Sequence, residues 1–160
     1  MRHVDNFEVR ENGVRELSIT VEMLNGGELG LNVALVIDRR GSMLGQPITD
    51  AKSAASTFVE LMQGDDQSAV VSFSNQPRTD CVFTTDVNAL RAAIGNIAAA
   101  GGTAIFDALI HVVYLMNTSM KNRAIILLTD GTDKDSYYSY QEALTNSYLM
   151  KYGHLPLGWV

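Results

Sequence analysis

The chain has 160 residues, of which 46% are hydrophobic and 19% charged, a size and balance typical of one globular domain. Its net charge of −6 argues against nucleic acid or an anionic membrane as the main partner, because both attract basic surfaces. The single cysteine, Cys81, excludes an internal disulfide and a zinc site built on cysteines. Residues 1–30 contain no apolar segment typical of a signal peptide, and no apolar run is long enough to span a membrane.

The first 29 residues are predicted to form a β-hairpin extension. Apolar and polar residues alternate over residues 7–9 and again over Leu17–Met23, and Asn12-Gly13 between these runs is a turn signal. Alternation of this kind indicates strands with one face in water. A glycine-rich break at residues 25–27 ends the pattern, so we place the start of the main domain, residues 30–160, after it.

From residue 30 onward, buried-type strands alternate with amphipathic helices. Strands are predicted at Leu31–Ile37, Ser68–Phe73, Val82–Thr84, Ala124–Leu128 and Leu155–Val160. Helices are predicted at Pro47–Met62, Val87–Ile97 with Asp86 as N-cap, Ile105–Met116 and Ser139–Tyr152. This order indicates an α/β fold, a three-layer, Rossmann-like, mainly parallel sheet with helices on both faces. Because Leu31–Ile37 and Ala124–Leu128 are continuously apolar, we expect both to be inner strands.

Side chains that bear oxygen follow the predicted strands, close to several glycines. Asp38 and Ser42 follow the first buried strand, Thr103 follows a pair of glycines, and Asp130 comes after the strand that ends at Leu128. In mainly parallel sheets, ligands bind at the carboxyl ends of the strands. Carboxylates and hydroxyls are the hard donors that Mg²⁺ prefers, so the pattern favours a divalent-cation site at this edge.

Three segments resemble motifs of one known family, the von Willebrand factor A domains. Val33–Met43 (VALVIDRRGSM) resembles their first strand and D-x-S-x-S loop. Gly101-Gly102-Thr103, followed by Phe106–Leu109, resembles their threonine loop and the next helix, and Leu127–Gly131 (LLTDG) resembles their fourth-strand aspartate motif. The segments also occur in the family's order and spacing, and the resemblance covers about residues 30–160.

The resemblance implies an adhesion-type module that binds a protein ligand through a metal-ion-dependent adhesion site. Asp38, Ser42, Thr103 and Asp130 fall on the metal-site positions. The ion would be Mg²⁺, with Mn²⁺ or Ca²⁺ as alternatives, and an acidic side chain of the partner would complete its coordination. The resemblance also favours bacterial relatives and an extracytoplasmic or cell-surface location.

The same resemblance raises an expectation about the C-terminus. Family members usually continue past the strand equivalent to Leu155–Val160 with a further helix and strand. An uncovered sheet edge would expose apolar surface and unpaired backbone groups. We therefore expect self-association through this edge, or a loosely ordered tail.

Arg40 departs from the family pattern, because it replaces the first serine of D-x-S-x-S. The substitution removes one hydroxyl ligand and adds a positive charge beside the ion. If the guanidinium points inward, it can neutralise Asp38 and Asp130 as a built-in cation. If it points to solvent, the remaining donors form a weakened metal site. We expect weak or absent metal binding, and a role of Arg40 as a plain solvated charge stays open.

Simpler interpretations of single residues also stay open. The site aspartates could be helix caps, and the site hydroxyls could be turn residues. Asp133 and Asp135 lack the spacing of an EF-hand and are expected in a solvated loop. His111 lies in an apolar stretch and is expected to be structural. A cluster of three tyrosines is interpreted as a contact surface, with helix-entry packing as the alternative: Tyr137, Tyr138 and Tyr140.

Enzymatic activity is not expected from this sequence. Ser42 stands one position too early for the nucleophile of a G-x-S-x-G motif. The segment from Leu128 to Thr132 is similar to a phosphatase aspartate loop, but Leu128 occupies the nucleophile's position. A magnesium-dependent hydrolase is therefore the least favoured function. The main alternative to a binding module is a structural or assembly domain with an inert metal site.

Overall fold

A computed structural model describes residues 10–11, 14–15, 30–116 and 122–151. A short 3-10 turn, Gly41–Met43, follows the first long strand. The strands and helices of these ranges are, in chain order, β1 (Arg10–Glu11), β2 (Val14–Arg15), β3 (Asn32–Asp38), α1 (Gln46–Glu60), β4 (Gln67–Phe73), β5 (Pro77–Thr84), α2 (Val87–Gly95), α3 (Ile105–Leu115), β6 (Arg123–Leu128) and α4 (Tyr140–Lys151).

The main sheet has the strand order β5-β4-β3-β6. β3 pairs in parallel with β4 on one side and with β6 on the other, whereas β5 runs antiparallel to β4. Every residue from Val33 to Asp38 is buried, because β3 has a neighbouring strand on each side and is covered on both faces. The predicted α/β fold with a mainly parallel sheet is confirmed, and so is the inner position of the first buried strand.

β6 does not have the inner position that its apolar sequence predicts, within the part of the chain that the structure describes. It forms one end of the described sheet, and all of its residues from Arg123 to Leu128 are partly exposed. The strand predicted at Leu155–Val160 lies outside the described residues. An apolar run indicates that both faces of a strand are suited to burial, but it does not reveal how many strands lie beside it.

β5 is longer than the predicted strand Val82–Thr84, since it begins at Pro77. It lies at the other end of the described sheet, and its pairing with β4 has two irregularities in register. Proline and charged residues such as Arg78 and Asp80 are tolerated at such an edge, where one side of the strand needs no partner. These residues interrupt the apolar pattern, so the sequence predicts a strand in the second half of β5 alone.

Helices cover both faces of the sheet and divide the core into two clusters. The alternating side chains of β3 point to opposite faces, so that Leu35 and Ile37 belong to one cluster and Ala34 and Val36 to the other. α1 and α2 cover the first face, where they bury Val59, Leu90 and Ile94. α3 covers the second face, and α4 packs against α3. The three-layer arrangement predicted from the sequence is therefore present.

The ends of the first two helices follow their sequence signals. Pro47 lies in the first turn of α1, where its missing N–H costs no intrahelical hydrogen bond. Asp86 caps α2 as predicted, since its carboxylate accepts hydrogen bonds from the backbone N–H groups of Asn88 (2.9 Å) and Ala89 (3.1 Å). These local signals set where α1 and α2 begin.

The described part of the N-terminal segment is a two-residue ladder. β1 and β2 pair antiparallel, with Arg10 opposite Arg15 and Glu11 opposite Val14, which agrees with a hairpin around residues 12–13. The rest of the predicted hairpin extension lies outside the described residues. The domain boundary at residue 30 and self-association through the C-terminal edge stay predictions. No helix in the described ranges is long and apolar enough to cross a membrane.

Candidate functional site

The carboxyl ends of β3 and β6 lie side by side because these strands are parallel neighbours, and we call this end of the sheet its upper edge. Asp38 is the last residue of β3, and its side chain is fully buried. One carboxylate oxygen accepts a hydrogen bond from the hydroxyl of Thr129 (2.7 Å), and the other accepts one from the backbone N–H of Arg40 (2.9 Å). Thr129 was not among the predicted site residues, although it directly precedes Asp130 in the motif that pointed to this edge.

Arg40 turns inward and brings three of the four predicted site residues together. Its Nη1 donates to the hydroxyl of Thr103 (3.0 Å), and its Nε and Nη2 donate to Oδ1 of Asp130 (3.0 and 2.5 Å). The Nε atom also lies 3.3 Å from Oδ2 of Asp38. Only 12% of the Arg40 side chain is exposed, so the alternative interpretation of Arg40 as a plain solvated charge is wrong. Two carboxylates and a hydroxyl thus surround one guanidinium.

Asp130 is the exposed member of this group, with 36% of its side chain accessible. The hydrogen bonds from Arg40 lower the pKa of Asp130, with a further lowering from the positive charge of Arg40 and from the Ser42 hydroxyl. Ser42, the fourth predicted site residue, is exposed and donates a long hydrogen bond to Asp130 (3.5 Å). All four predicted site residues and Arg40 therefore lie at the same edge.

The threonine loop, residues 101–103, is held from two sides. The buried Thr103 donates its backbone N–H to Oδ2 of Asp135 (2.6 Å), and its carbonyl accepts from the N–H groups of Lys134 and Asp135 (3.1 Å each). On the other side, Gly102 donates its N–H to the side-chain oxygen of Asn75 (2.9 Å). A Cβ atom at Gly102 would collide with both Asp135 and Asn75, so glycine permits this close approach.

The segment 133–138 also caps α3, which has no capping side chain at its own N-cap, Ala104. Asp133 Oδ1 accepts from the N–H of Ile105 (2.7 Å), and the hydroxyl of Ser136 accepts from the N–H of Phe106 (3.0 Å). In return, Asp107 accepts hydrogen bonds from the backbone of residues 137 and 138. Asp135 is exposed, as expected for a solvated loop, whereas Asp133 is partly buried, and both carboxylates also accept hydrogen bonds from backbone N–H groups. Sequence spacing could not reveal this, because the groups they bind lie about 30 residues away.

His111, the histidine in the described ranges, has a structural role. Nε2 of His111 on α3 lies 2.7 Å from the hydroxyl of Thr79 on β5, and burial lowers the pKa of His111. This agrees with the structural role expected for His111, because its ring nitrogen is engaged at a packed contact between a helix and a strand.

As arranged, these side chains do not fit a divalent cation. A cation site needs oxygen donors directed at one shared open position, and here the donors are directed at the guanidinium of Arg40. In the described ranges, no group of three or more carboxylate, histidine or cysteine side chains is placed to hold a metal ion. The arrangement instead gives an edge at which one guanidinium joins two carboxylates, with one negative charge left over and with Asp130 and Ser42 at the surface.

The strand order, the Asp38 loop, the threonine loop and the Asp130 loop occur together at one edge, and comparison with known families agrees with this arrangement. The family profile of the von Willebrand factor type A domain matches residues 33–132. The chain belongs to this family. The match includes β3, the threonine loop and the segment through Gly131, which are the segments that resemble the family in sequence.

Relatives of this von Willebrand factor type A domain are found in bacteria and in animals. An uncharacterized protein of Synechocystis sp. is 34% identical over 110 residues, which are 66% of this chain and 26% of that protein. Inter-alpha-trypsin inhibitor heavy chain H4 of Bos taurus is 33% identical over 113 residues, which are 62% of this chain and 12% of that protein. The chain thus spans a small part of the length of the curated relatives it matches.

Among solved structures, the von Willebrand factor domain of the type V pilus tip protein Mfa5 from Porphyromonas gingivalis is similar. Its sequence is 26% identical to this chain, and the two structures align with a TM-score of 0.60. The aligned region covers 66% of this chain and 39% of the Mfa5 chain. The similarity supports the fold and the family, while the site residues rest on the geometry given above.

Proposed function

We propose that this domain is a protein-binding module that acts through the upper edge of its sheet, with Arg40 in the place of a divalent cation. The observation that carries the proposal is the position of the Arg40 guanidinium, which contacts Thr103 and both Asp38 and Asp130. The resemblance to the family's motifs implies a metal ion that joins these positions. Here one side chain of the domain joins them, so the edge is organised without an added ion.

Electrostatic repulsion supports the exclusion of metal by Arg40. At a separation of about 4 Å, the Coulomb repulsion energy between a divalent ion and the guanidinium is roughly 2 kcal/mol in bulk water and roughly 8 kcal/mol at an effective dielectric of 20. A site with millimolar affinity has only about 4 kcal/mol of binding free energy. An inward Arg40 and a bound ion therefore compete, and we propose that the wild-type domain binds Mg²⁺, Mn²⁺ or Ca²⁺ weakly or not at all.

The relatives support a role in protein recognition. The similar Mfa5 domain belongs to a protein at the tip of a pilus, and a pilus is a surface structure. We propose by analogy that this domain recognises another protein at an extracytoplasmic or cell-surface location. We propose no enzymatic role, because the hydrogen-bond partner of the Ser42 hydroxyl among the described residues is Asp130, whose carboxylate is already bound by Arg40 and is a poor general base.

A structural or assembly role is the second candidate function, and the same contacts of Arg40 support it. The guanidinium could serve only to tie β3, the threonine loop and the Asp130 loop together, with no ligand at the upper edge. In that case Arg40 variants lose stability but gain no affinity for metal. The experiment below separates the two roles of Arg40.

The test is calorimetric titration of MgCl₂ and MnCl₂ into the wild type, Arg40→Ser and Arg39→Ser. We expect Arg40→Ser to bind Mg²⁺ at least about tenfold more tightly than the wild type, because the repulsion is removed and a hydroxyl ligand is restored. Arg39→Ser is the matched control, because it removes the same charge one residue away, and the Nε atom of Arg39 has no hydrogen-bond partner among the described residues. Equal affinity in all three proteins, with each folded by circular dichroism, would show that Arg40 does not control metal binding.

A further inference from the structure

Beside the upper edge, a group of apolar side chains faces solvent. Tyr137 is 87% exposed, Tyr140 is 63% exposed, and Leu144, one turn further along α4, is 49% exposed. We call these three residues the tyrosine patch. Large apolar side chains grouped on a surface are typical of protein-binding sites, and tyrosine is among the residues that contribute most to such interfaces.

The backbone at one end of the tyrosine patch is held in place by a side chain of α3. The two carboxylate oxygens of Asp107 accept hydrogen bonds from the N–H groups of Tyr137 (3.1 Å) and Tyr138 (3.0 Å). The rings of these two tyrosines meet edge to face at 5.2 Å, and the ring of Tyr140 meets Phe106 at 6.0 Å. These contacts restrain the backbone at Tyr137 and the ring of Tyr140, which reduces the entropy lost when a partner binds.

The surroundings of the tyrosine patch are negatively charged. The segment from Asp130 to Glu142 contains four carboxylates and one lysine, and Asp107 lies directly beneath the patch backbone. With Arg40 counted, the balance stays negative, because the four carboxylates and Asp107 outnumber Lys134 and Arg40. At the other end lies the carboxylate of Glu142, which accepts hydrogen bonds from the backbone N–H and the hydroxyl of Ser139, and these bonds lower its pKa. An approaching acidic segment would be repelled here.

We propose that the tyrosine patch binds a lysine- or arginine-containing segment of a protein partner. The proposal rests on the protein-binding function above and names the chemistry of the partner. A cationic side chain stacks favourably on the face of an exposed aromatic ring, and nearby carboxylates attract it over a longer range. Tyr137 and Tyr140 present such rings, and Leu144 offers apolar surface to the stem of a long basic side chain. The partner would thus have the opposite charge to the acidic ligands that a metal-bearing member of the family binds.

The experiment uses three peptides of ten residues in which glycine alternates with arginine, lysine or glutamate. Each is titrated into the ¹⁵N-labelled full chain at fixed ionic strength, and binding is followed by amide chemical shifts. We expect the arginine and lysine peptides to shift the amides of residues 137–144, and the glutamate peptide to leave them unchanged. Removal of each ring, in Tyr137→Ala and Tyr140→Ala, is expected to weaken binding of the arginine peptide about 2- to 5-fold.

Two control variants separate the patch from general attraction by an acidic protein. Tyr137→Phe keeps the aromatic face and is expected to retain wild-type affinity. Val82→Ala removes a side chain that is 63% exposed on β5 and is expected to change affinity less than twofold. Unchanged affinity in both tyrosine-to-alanine variants, an equal loss in Val82→Ala, tighter binding of the glutamate peptide, or no binding of any peptide would each overturn the proposal. The metal titration of Arg40→Ser does not involve the patch, so failure of either proposal is recognised separately.

Discussion

The guanidinium of Arg40 lies against the backbone of Gly131, in the space that a side chain at position 131 would fill. A Cβ atom built there would overlap Nη2, Cζ and Nη1 of Arg40. Gly131 does not have a positive φ, so its importance comes from this close contact and not from a special backbone conformation. The inward position of Arg40 thus depends on a glycine two residues after Thr129.

The first prediction concerns this contact. Gly131→Ala is expected to lower the free energy of unfolding by about 1–3 kcal/mol, because the added methyl group displaces the guanidinium from its carboxylates. In an Arg40→Ser background the same substitution should cost less than about 1 kcal/mol, since the overlapping group is absent. Urea denaturation of the wild type, both single variants and the double variant measures this coupling.

Gly95→Ala is the matched control for the added methyl group. Gly95 ends α2, and a Cβ atom there would meet nothing within 4 Å. This variant is expected to be about as stable as the wild type, or slightly more stable, because alanine has the higher helix propensity. Additive costs in the Gly131→Ala, Arg40→Ser pair would mean that the contact does not hold Arg40 inward.

The second prediction concerns the buried carboxylate of Asp38. Thr129→Val keeps the shape of the side chain but removes the hydroxyl that donates to Oδ2 of Asp38 at 2.7 Å. A hydrogen bond to a charged group contributes about 1.5–3 kcal/mol, and we expect a loss of stability of that size in urea denaturation. Thr129→Ser retains the hydroxyl and should lose clearly less. Similar losses in both variants would assign the effect to packing.

The third prediction concerns acid stability. Arg40 lowers the pKa of Asp130 below its ordinary value of 3.8, so the ionised carboxylate stabilises the folded state. This contribution is present in full above pH 3.8 and is lost as the pH falls through the lowered folded-state pKa. The stability difference between wild type and Asp130→Asn should therefore shrink as the pH is lowered from 5 to 3, as measured by urea denaturation at each pH.

Arg40→Ser provides the control for this pH dependence. Without the guanidinium, the cause of the lowered pKa of Asp130 is largely removed. The stability difference between Arg40→Ser and the double variant Arg40→Ser, Asp130→Asn should then change less between pH 5 and pH 3. An unchanged pH dependence in this background would show that another group interacts with Asp130.

Local patterns in the sequence were sufficient to predict the α/β framework of this protein. The continuous apolar run of β3 predicts a strand covered on both faces, and Asp86 predicts the start of α2, because burial and capping depend on residues close in the chain. The positions of Asp38 and Asp130 at one edge also follow from sequence, since parallel strands end on the same side of a sheet. The motif order around these residues was specific enough to predict the family.

Only the tertiary structure decided what those site residues do. Whether Arg40 points inward depends on the distance to Asp130, 90 residues later, and on the space left by Gly131, and neither is visible in the local sequence. Asp133 and Asp135 look like ordinary acidic loop residues in the sequence, yet they bind backbone groups of Thr103 and Ile105, because the fold brings the loop after β6 against the start of α3. Hydrogen bonds and steric exclusion act over a few ångströms in space, so contacts between distant segments appear only when the chain is folded.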